Sequence, residues 1–306
     1  MEKRTKKTKV TRDGIIFRQG KYTIVQVLGS KHAASMPGVL CLNPDEPKED
    51  DRIYQKTFTQ KPIYLPDSYD EFKGIYLSNE DSFILSMNGY SSINAEQCRR
   101  YGIQKGSYDA ACEAVLAKAI AHCRSEFTGA KIQLIYGASD MGVDAAIEKV
   151  AKRFNLDIVG FSCPEYMLYV KDDKIPVFVG KNDDDYGDYY IKSLDLLIAT
   201  GGREHALKHD VSATCIYGKR VHFVDILNSL SSTGGVPATI INAEGKVVID
   251  NAAAAFGKNI SFFNREDAVA HVPTGGDRWD AIFTNVNSVA TEVCRSKMSP
   301  EKKFSY

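Results

Sequence analysis

The 306 residues predict an α/β fold in three layers, with helices packed on a mostly parallel sheet. Short apolar runs alternate with helical stretches of roughly 10 to 20 residues, the spacing that right-handed crossovers between parallel strands require. Two of the runs end directly in glycine turns. Ile132 to Tyr136 leads into Gly137-Ala138-Ser139-Asp140-Met141-Gly142, and Leu196 to Thr200 leads into Gly201-Gly202-Arg203-Glu204. Glycine admits backbone conformations that a Cβ forbids, and bare N–H groups at a helix start can approach an anion closely. Such turns line up along the carboxyl edge of a parallel sheet, so the pair is expected to bracket one crevice and share one phosphate-bearing ligand.

Taken in order, the first dozen residues hold Lys3, Arg4, Lys6, Lys7, Lys9 and Arg12 against Glu2 alone, and residues 1–14 read as a basic arm expected to be disordered. Residues 15–81 carry β and turn signals: Lys21 to Leu28 is a strand candidate and Pro44 to Asp51 an acidic, proline-bearing loop. No helical period stands out there, so the stretch reads as a β-rich extension. Phe83 to Met87 is an apolar run ending in Asn88-Gly89-Tyr90-Ser91-Ser92, a strand followed by a polar glycine turn.

Tyr108 to Phe127 places Cys112, Val115, Leu116, Ala119, Ile120 and Cys123 three and four apart, an amphipathic helix. Strand Ile132 to Tyr136, helix Val143 to Phe154 and strand Asp157 to Phe161 follow. Met167 to Val170 and Ile175 to Val179 flank Lys171-Asp172-Asp173-Lys174 and read as a hairpin at the sheet edge. Asp183, Asp184, Asp185 and Asp188 with Tyr186, Tyr189 and Tyr190 read as an acidic aromatic loop. Strand Asp195 to Thr200, helix Arg203 to Tyr217 and strand Val221 to Ile226 complete the alternating part. Beyond it, Ala238 to Asn242 with Lys246 to Asp250 predicts a hairpin, and Trp279 to Cys294 a terminal helix. The expected organisation is an arm at 1–14, a β-rich extension at 15–81, a nucleotide-binding domain at 82–228 and an α+β extension at 229–306.

Lys plus Arg number 39 and Asp plus Glu 39, so no overall positive field draws the protein onto nucleic acid; only the basic arm speaks for such a partner. The seven cysteines form no C-x-x-C pair and leave one unpaired in any disulfide scheme, so reduced thiols are expected, none in a context that lowers its pKa. No signal peptide is evident, and no apolar run approaches the roughly 18 residues of a membrane span, which points to a cytoplasmic protein without a membrane partner. His205 and His209 share a helix face, but Ala206 stands where the metalloprotease pattern needs Glu and no third ligand is evident, so no metal site is read.

Residues 82–228 resemble the SLOG superfamily of Rossmann-like domains, which includes the Lonely Guy phosphoribohydrolases and the DprA DNA-processing proteins. The resemblance rests on Tyr136 to Ala146, similar to the family's strand, glycine turn and Gly-Ile/Val-Asp-x-x-Ala helix start. It rests also on Leu194 to Gly202, followed by a helix and Gly218-Lys219-Arg220-Val221. It implies ligand contacts from Asn88, Gly89 and Ser91, from Gly137, Ser139, Asp140 and Gly142, and from Thr200, Gly201, Gly202 and Arg203. The ligand implied is a nucleotide-like small molecule, bound with no further cofactor, and relatives commonly form homo-oligomers.

The resemblance also implies N-glycosidic cleavage, for which Glu204 and Asp210 are the candidate catalytic carboxylates, because positive charge develops at the anomeric carbon. The chain departs from the family's Pro-Gly-Gly-x-Gly-Thr-x-x-Glu motif. Thr200 stands for the proline, Glu204 for the third glycine, His205 for the threonine and Lys208 for the glutamate. A non-catalytic nucleotide sensor or sequestering scaffold, and a DprA-like binder of single-stranded DNA, therefore stand as alternative readings.

Overall fold

The computed structural model describes residues 9–11, 14–19, 22–27, 38–42, 56–57, 63–77, 81–91, 93, 95–139, 141–163, 166, 170, 175–180, 183–201, 210, 214, 217–224, 226–233, 260–262 and 277–298. Strands β1 (Lys9–Thr11), β2 (Gly14–Gln19), β3 (Tyr22–Val27), β4 (Gly38–Leu42) and β5 (Lys56–Thr57) form an antiparallel sheet in chain order. The β-branched and aromatic content read from the sequence is realised there as a meander.

After β6 (Ile63–Tyr64) comes helix α1 (Tyr69–Tyr76), where no helix was predicted. Gly74 interrupts its pattern and only Phe72 of the helix is buried. Asp70 and Glu71 in its first turn and Lys73 in its last suit the helix dipole. Then follow β7 (Phe83–Asn88), α2 (Ala95–Tyr101), α3 (Ser107–Glu126), β8 (Ile132–Tyr136), α4 (Gly142–Phe154), β9 (Asp157–Ser162) and β10 (Val177–Val179). The remaining elements are α5 (Asp183–Ser193), β11 (Leu196–Ala199), β12 (Arg220–Phe223), α6 (Ile226–Leu230), β13 (Ile260–Phe262) and α7 (Asp277–Met298).

The chain divides into two compact units. In the larger one (Tyr69–Tyr136, Met141–Ile158 and Tyr190–Tyr306) five strands pair in parallel in the order β13-β12-β11-β7-β8. Every residue of β7, β8 and β11 is buried, which is why these strands read as unbroken apolar runs instead of alternating ones. Helix α3 presents Cys112, Val115, Leu116, Ala119, Ile120 and Cys123 to the core, the predicted stripe, and packs against α4, α6 and α7. Helix α7, packed against α3, buries Ile282, Val286, Ala290 and Cys294, one residue per turn. Helix α4 ends at Asn155, whose left-handed backbone (φ 49°) closes the last turn with Leu156 N–H donating to Ala151 O at 2.9 Å.

In the smaller unit (Met1–Ser68, Gly137–Asp140 and Val159–Tyr189), β10 pairs in parallel with both β9 and β6. This corrects the expected edge hairpin: Val177–Val179 is a strand of a parallel sheet, while residues 167–169 and 171–174 lie outside the described ones. The acidic aromatic stretch is likewise not a loop. It forms helix α5, with Tyr190 and Ile191 buried. The hairpin expected between 238 and 250 and most of the helix expected over 203–217 fall outside the described residues. The α/β class with a mostly parallel sheet is as the sequence predicts.

Candidate functional site

In the larger unit β7 lies between β8 and β11. Strand order therefore reverses at β7, and the carboxyl ends of β7 and β11 flank the topological switch point, where open α/β sheets leave their ligand crevice. The turn beside Thr200-Gly201 is thus the one after β7, Asn88 to Ser91. Cα pairing of Ala199 with Asn88 sets the two ends level.

A hydrogen-bonded chain ties these ends together. Tyr90 N–H donates to Tyr108 Oη at 2.9 Å, and Tyr108 Oη lies 2.9 Å from Thr200 Oγ1. Thr200 Oγ1 in turn donates to Asn88 O at 2.8 Å, and Thr200 N–H donates to the same carbonyl at 2.9 Å. An amide can only donate and a carbonyl only accept, so both hydroxyl hydrogens must point from Tyr108 toward Thr200 and from Thr200 toward Asn88. Burial holds the Tyr108 phenol far above its ordinary pKa, which keeps it a donor, and pushes the neighbouring Cys112 thiol up to about 12.

Gly89 sits inside this chain. A Cβ there would lie 2.2 Å from Tyr108 Oη, 2.3 Å from Thr200 Oγ1 and 2.6 Å from Val143 Cγ2. Glycine is required by the approach of protein side chains, and the Thr200 hydroxyl is engaged within the fold. The start of α4 is similar. Gly142 has φ +53°, a Cβ on it would lie 2.0 Å from Tyr90 O, and Val143 N–H donates to that same oxygen at 3.4 Å. The β7 turn is thus seated on the amino end of α4 and uses part of its anion-binding capacity.

Beside the turn, Asn88 Nδ2 donates to Asp210 Oδ2 at 3.3 Å. That bond fixes the amide orientation and leaves Asn88 Oδ1 buried with no hydrogen-bond partner among the described residues. On the same strand Tyr190 Oη lies 2.7 Å from Ser86 Oγ, which donates to Ile135 O at 2.5 Å. Burial raises the Tyr190 phenol strongly, and the carboxylates of Asp210 and Asp144 raise it further. Two carboxylates therefore act on the space around β7, a negative field that suits ligand amines and hydroxyls.

Of the residues predicted for the site, the structure brings together Asn88, Gly89, Ser91, Gly142, Thr200 and Asp210, with Gly201 following Thr200 at φ +115°, a conformation reserved for glycine. Gly137 and Ser139 belong to the smaller unit, where Ser139 forms an antiparallel bridge with Val170. Asp140, Gly202, Arg203, Glu204, His205 and His209 lie outside the described residues. Tyr108 is not among the residues the sequence puts at the site, and Tyr190 is read from the sequence only as part of an acidic aromatic loop. Their signal is a tyrosine on an apolar helix face, since a buried phenol needs a partner. A hydrogen bond from Cys123 lowers the Cys294 thiol pKa, while burial opposes that shift.

No family model matches the sequence, and no curated relative does. Among solved structures, the chain is similar to the molybdenum cofactor binding protein from the phototrophic bacterium Rippkaea orientalis, with a TM-score of 0.40 and 12% identity over 68% of this chain and 97% of that one. It is similar also to the molybdenum cofactor carrier protein from Chlamydomonas reinhardtii, with a TM-score of 0.40 and 13% identity over 68% of this chain and 98% of that one.

Proposed function

We propose that residues 82–228 bind a nucleotide or nucleotide-derived small molecule over the carboxyl ends of β7 and β11. The observation that carries this reading is the buried acceptor Asn88 Oδ1, which has no partner among the described residues and stands at the switch point beside Asp210. A buried acceptor without a donor costs about 1 to 3 kcal/mol, a cost that a ligand N–H or O–H removes. A base amine or a ribose hydroxyl fits that need, and Asp210 accepts a second one. Arg203 and the Gly201-Gly202 amides are the groups we assign to the phosphate.

Binding without turnover is the reading we favour. The substitutions at Glu204, His205 and Lys208 support it, because they remove the threonine and glutamate that the phosphoribohydrolase resemblance would require. Calorimetry and thermal shift with nucleoside monophosphates and cyclic nucleotides test it. Saturable binding is expected, weakened about tenfold or more by Asn88→Ala. No binding of any nucleotide overturns it. Chromatography of the same mixtures for free base decides the catalytic version, in which release is lost in Asp210→Asn.

A further inference from the structure

At the opposite edge of the same sheet, the amino ends of β7, β11 and β12 surround a cavity of about 590 Å³ within the larger unit. This lies within the range of about 300 to 1,000 Å³ typical of small-molecule pockets. Four lysines line it, Lys73, Lys192, Lys219 and Lys297, against two carboxylates, Asp70 and Asp195.

Asp195 is already committed. Its Oδ2 accepts Ile84 N–H at 2.8 Å and its Oδ1 accepts Lys297 Nζ at 2.9 Å. Lys73, Lys192 and Lys297 stand in the last turns of α1, α5 and α7, where ammonium groups offset the partial negative charge of helix ends. Lys219 follows the left-handed Gly218 (φ +67°), and its own N–H donates to Thr214 O at 2.9 Å. Its ammonium is half-buried and makes no hydrogen bond or ion pair among the described residues. Burial and the charges of Lys297 and Lys73 lower its pKa, against the pull of Asp195. A second donor is in the same condition: Ser82 Oγ lines the cavity, is 1% exposed and has no hydrogen-bond partner among the described residues.

We infer that this cavity binds a small anion bearing a chain of phosphoryl groups, held by Lys219 and Ser82 and flanked by Lys73 and Lys192. Phosphoryl oxygens only accept, which is what an unpaired ammonium and an unpaired hydroxyl lack. A chain of them reaches ammonium groups on several elements at once. The inference does not rest on the nucleotide reading, since the two sites lie at opposite ends of the strands.

The test is calorimetric titration of the full chain with inorganic tripolyphosphate, in parallel with citrate as a carboxylate of comparable charge. Saturable binding to tripolyphosphate is expected, weakened about tenfold or more in Lys219→Met and Ser82→Ala, restored in Lys219→Arg and unchanged in Asn88→Ala. In the unsubstituted protein, acylation of Lys219 followed by mass spectrometry is expected to be suppressed by tripolyphosphate. Absence of saturable binding, equal binding by Lys219→Met, equal affinity for citrate, or unprotected acylation of Lys219 each overturns the assignment. Loss of binding in Asn88→Ala places the anion at the carboxyl edge instead and overturns it as well.

Discussion

Gly89 is the residue on which the geometry of the β7 turn depends, because two hydroxyls and a methyl occupy the space its Cβ would take. In Gly89→Ala the clash falls on buried Tyr108 and Thr200, neither of which can swing into solvent. Overpacking of this kind costs about 1 to 3 kcal/mol, and loss of the hydroxyl chain adds to it. Chemical denaturation is expected to show a lowered midpoint. Tyr108→Phe keeps the ring but strips Tyr90 N–H of its acceptor, for an expected cost of about 1 to 3 kcal/mol. A midpoint unchanged in both variants contradicts the hydrogen-bond assignments. Little of this was legible in the sequence: Asn88 and Gly89 stood out as a polar turn, but Tyr108 and Thr200 are joined across 92 positions of chain, which no local pattern records.

Among the elements, β12 carries a pH-dependent contribution to stability. His222 is 2% exposed, and burial, reinforced by Arg220, pushes its pKa down to about 4. Between the unfolded value near 6.5 and this value the unfolded chain binds the extra proton, so stability rises with pH across that window and falls as pH drops through it. The difference corresponds to roughly 3 kcal/mol, fully present above pH 6.5 and lost by about pH 4. His222→Leu is expected to flatten that part of the profile, measured as unfolding free energy from pH 7.5 to 4.

Elements with a strong period were legible: α3, α4 and α7 and the buried strands β7, β8 and β11 lie where apolar spacing placed them. Helices α1 and α5 were not. Gly74 and Gly187, together with the aspartates of α5, hide their periods, and each helix holds its place through a few buried groups such as Phe72 and Ile191. Strand order was not legible either, because parallel pairing is non-local.

Taken whole, the chain balances 39 basic against 39 acidic residues and has an isoelectric point near 7.0. Little electrostatic repulsion then separates molecules at neutral pH. Solubility is expected to pass through a minimum near pH 7 and to rise by pH 8.5, read as protein remaining in solution after precipitant is added. A maximum at pH 7 contradicts this. Among the described residues no helix is long and apolar enough to cross a membrane.

The one-way run of hydrogens from Tyr90 to the carbonyl of Asn88 has a consequence for any guest of the site. Bonds strung in a single sense polarise one another, by about 10 to 30% each, and here two protons converge on one oxygen. The Asn88 peptide is clamped from behind before anything arrives, so its side-chain oxygen waits in a preset direction. For the ligand proposed above, association loses little to ordering that acceptor.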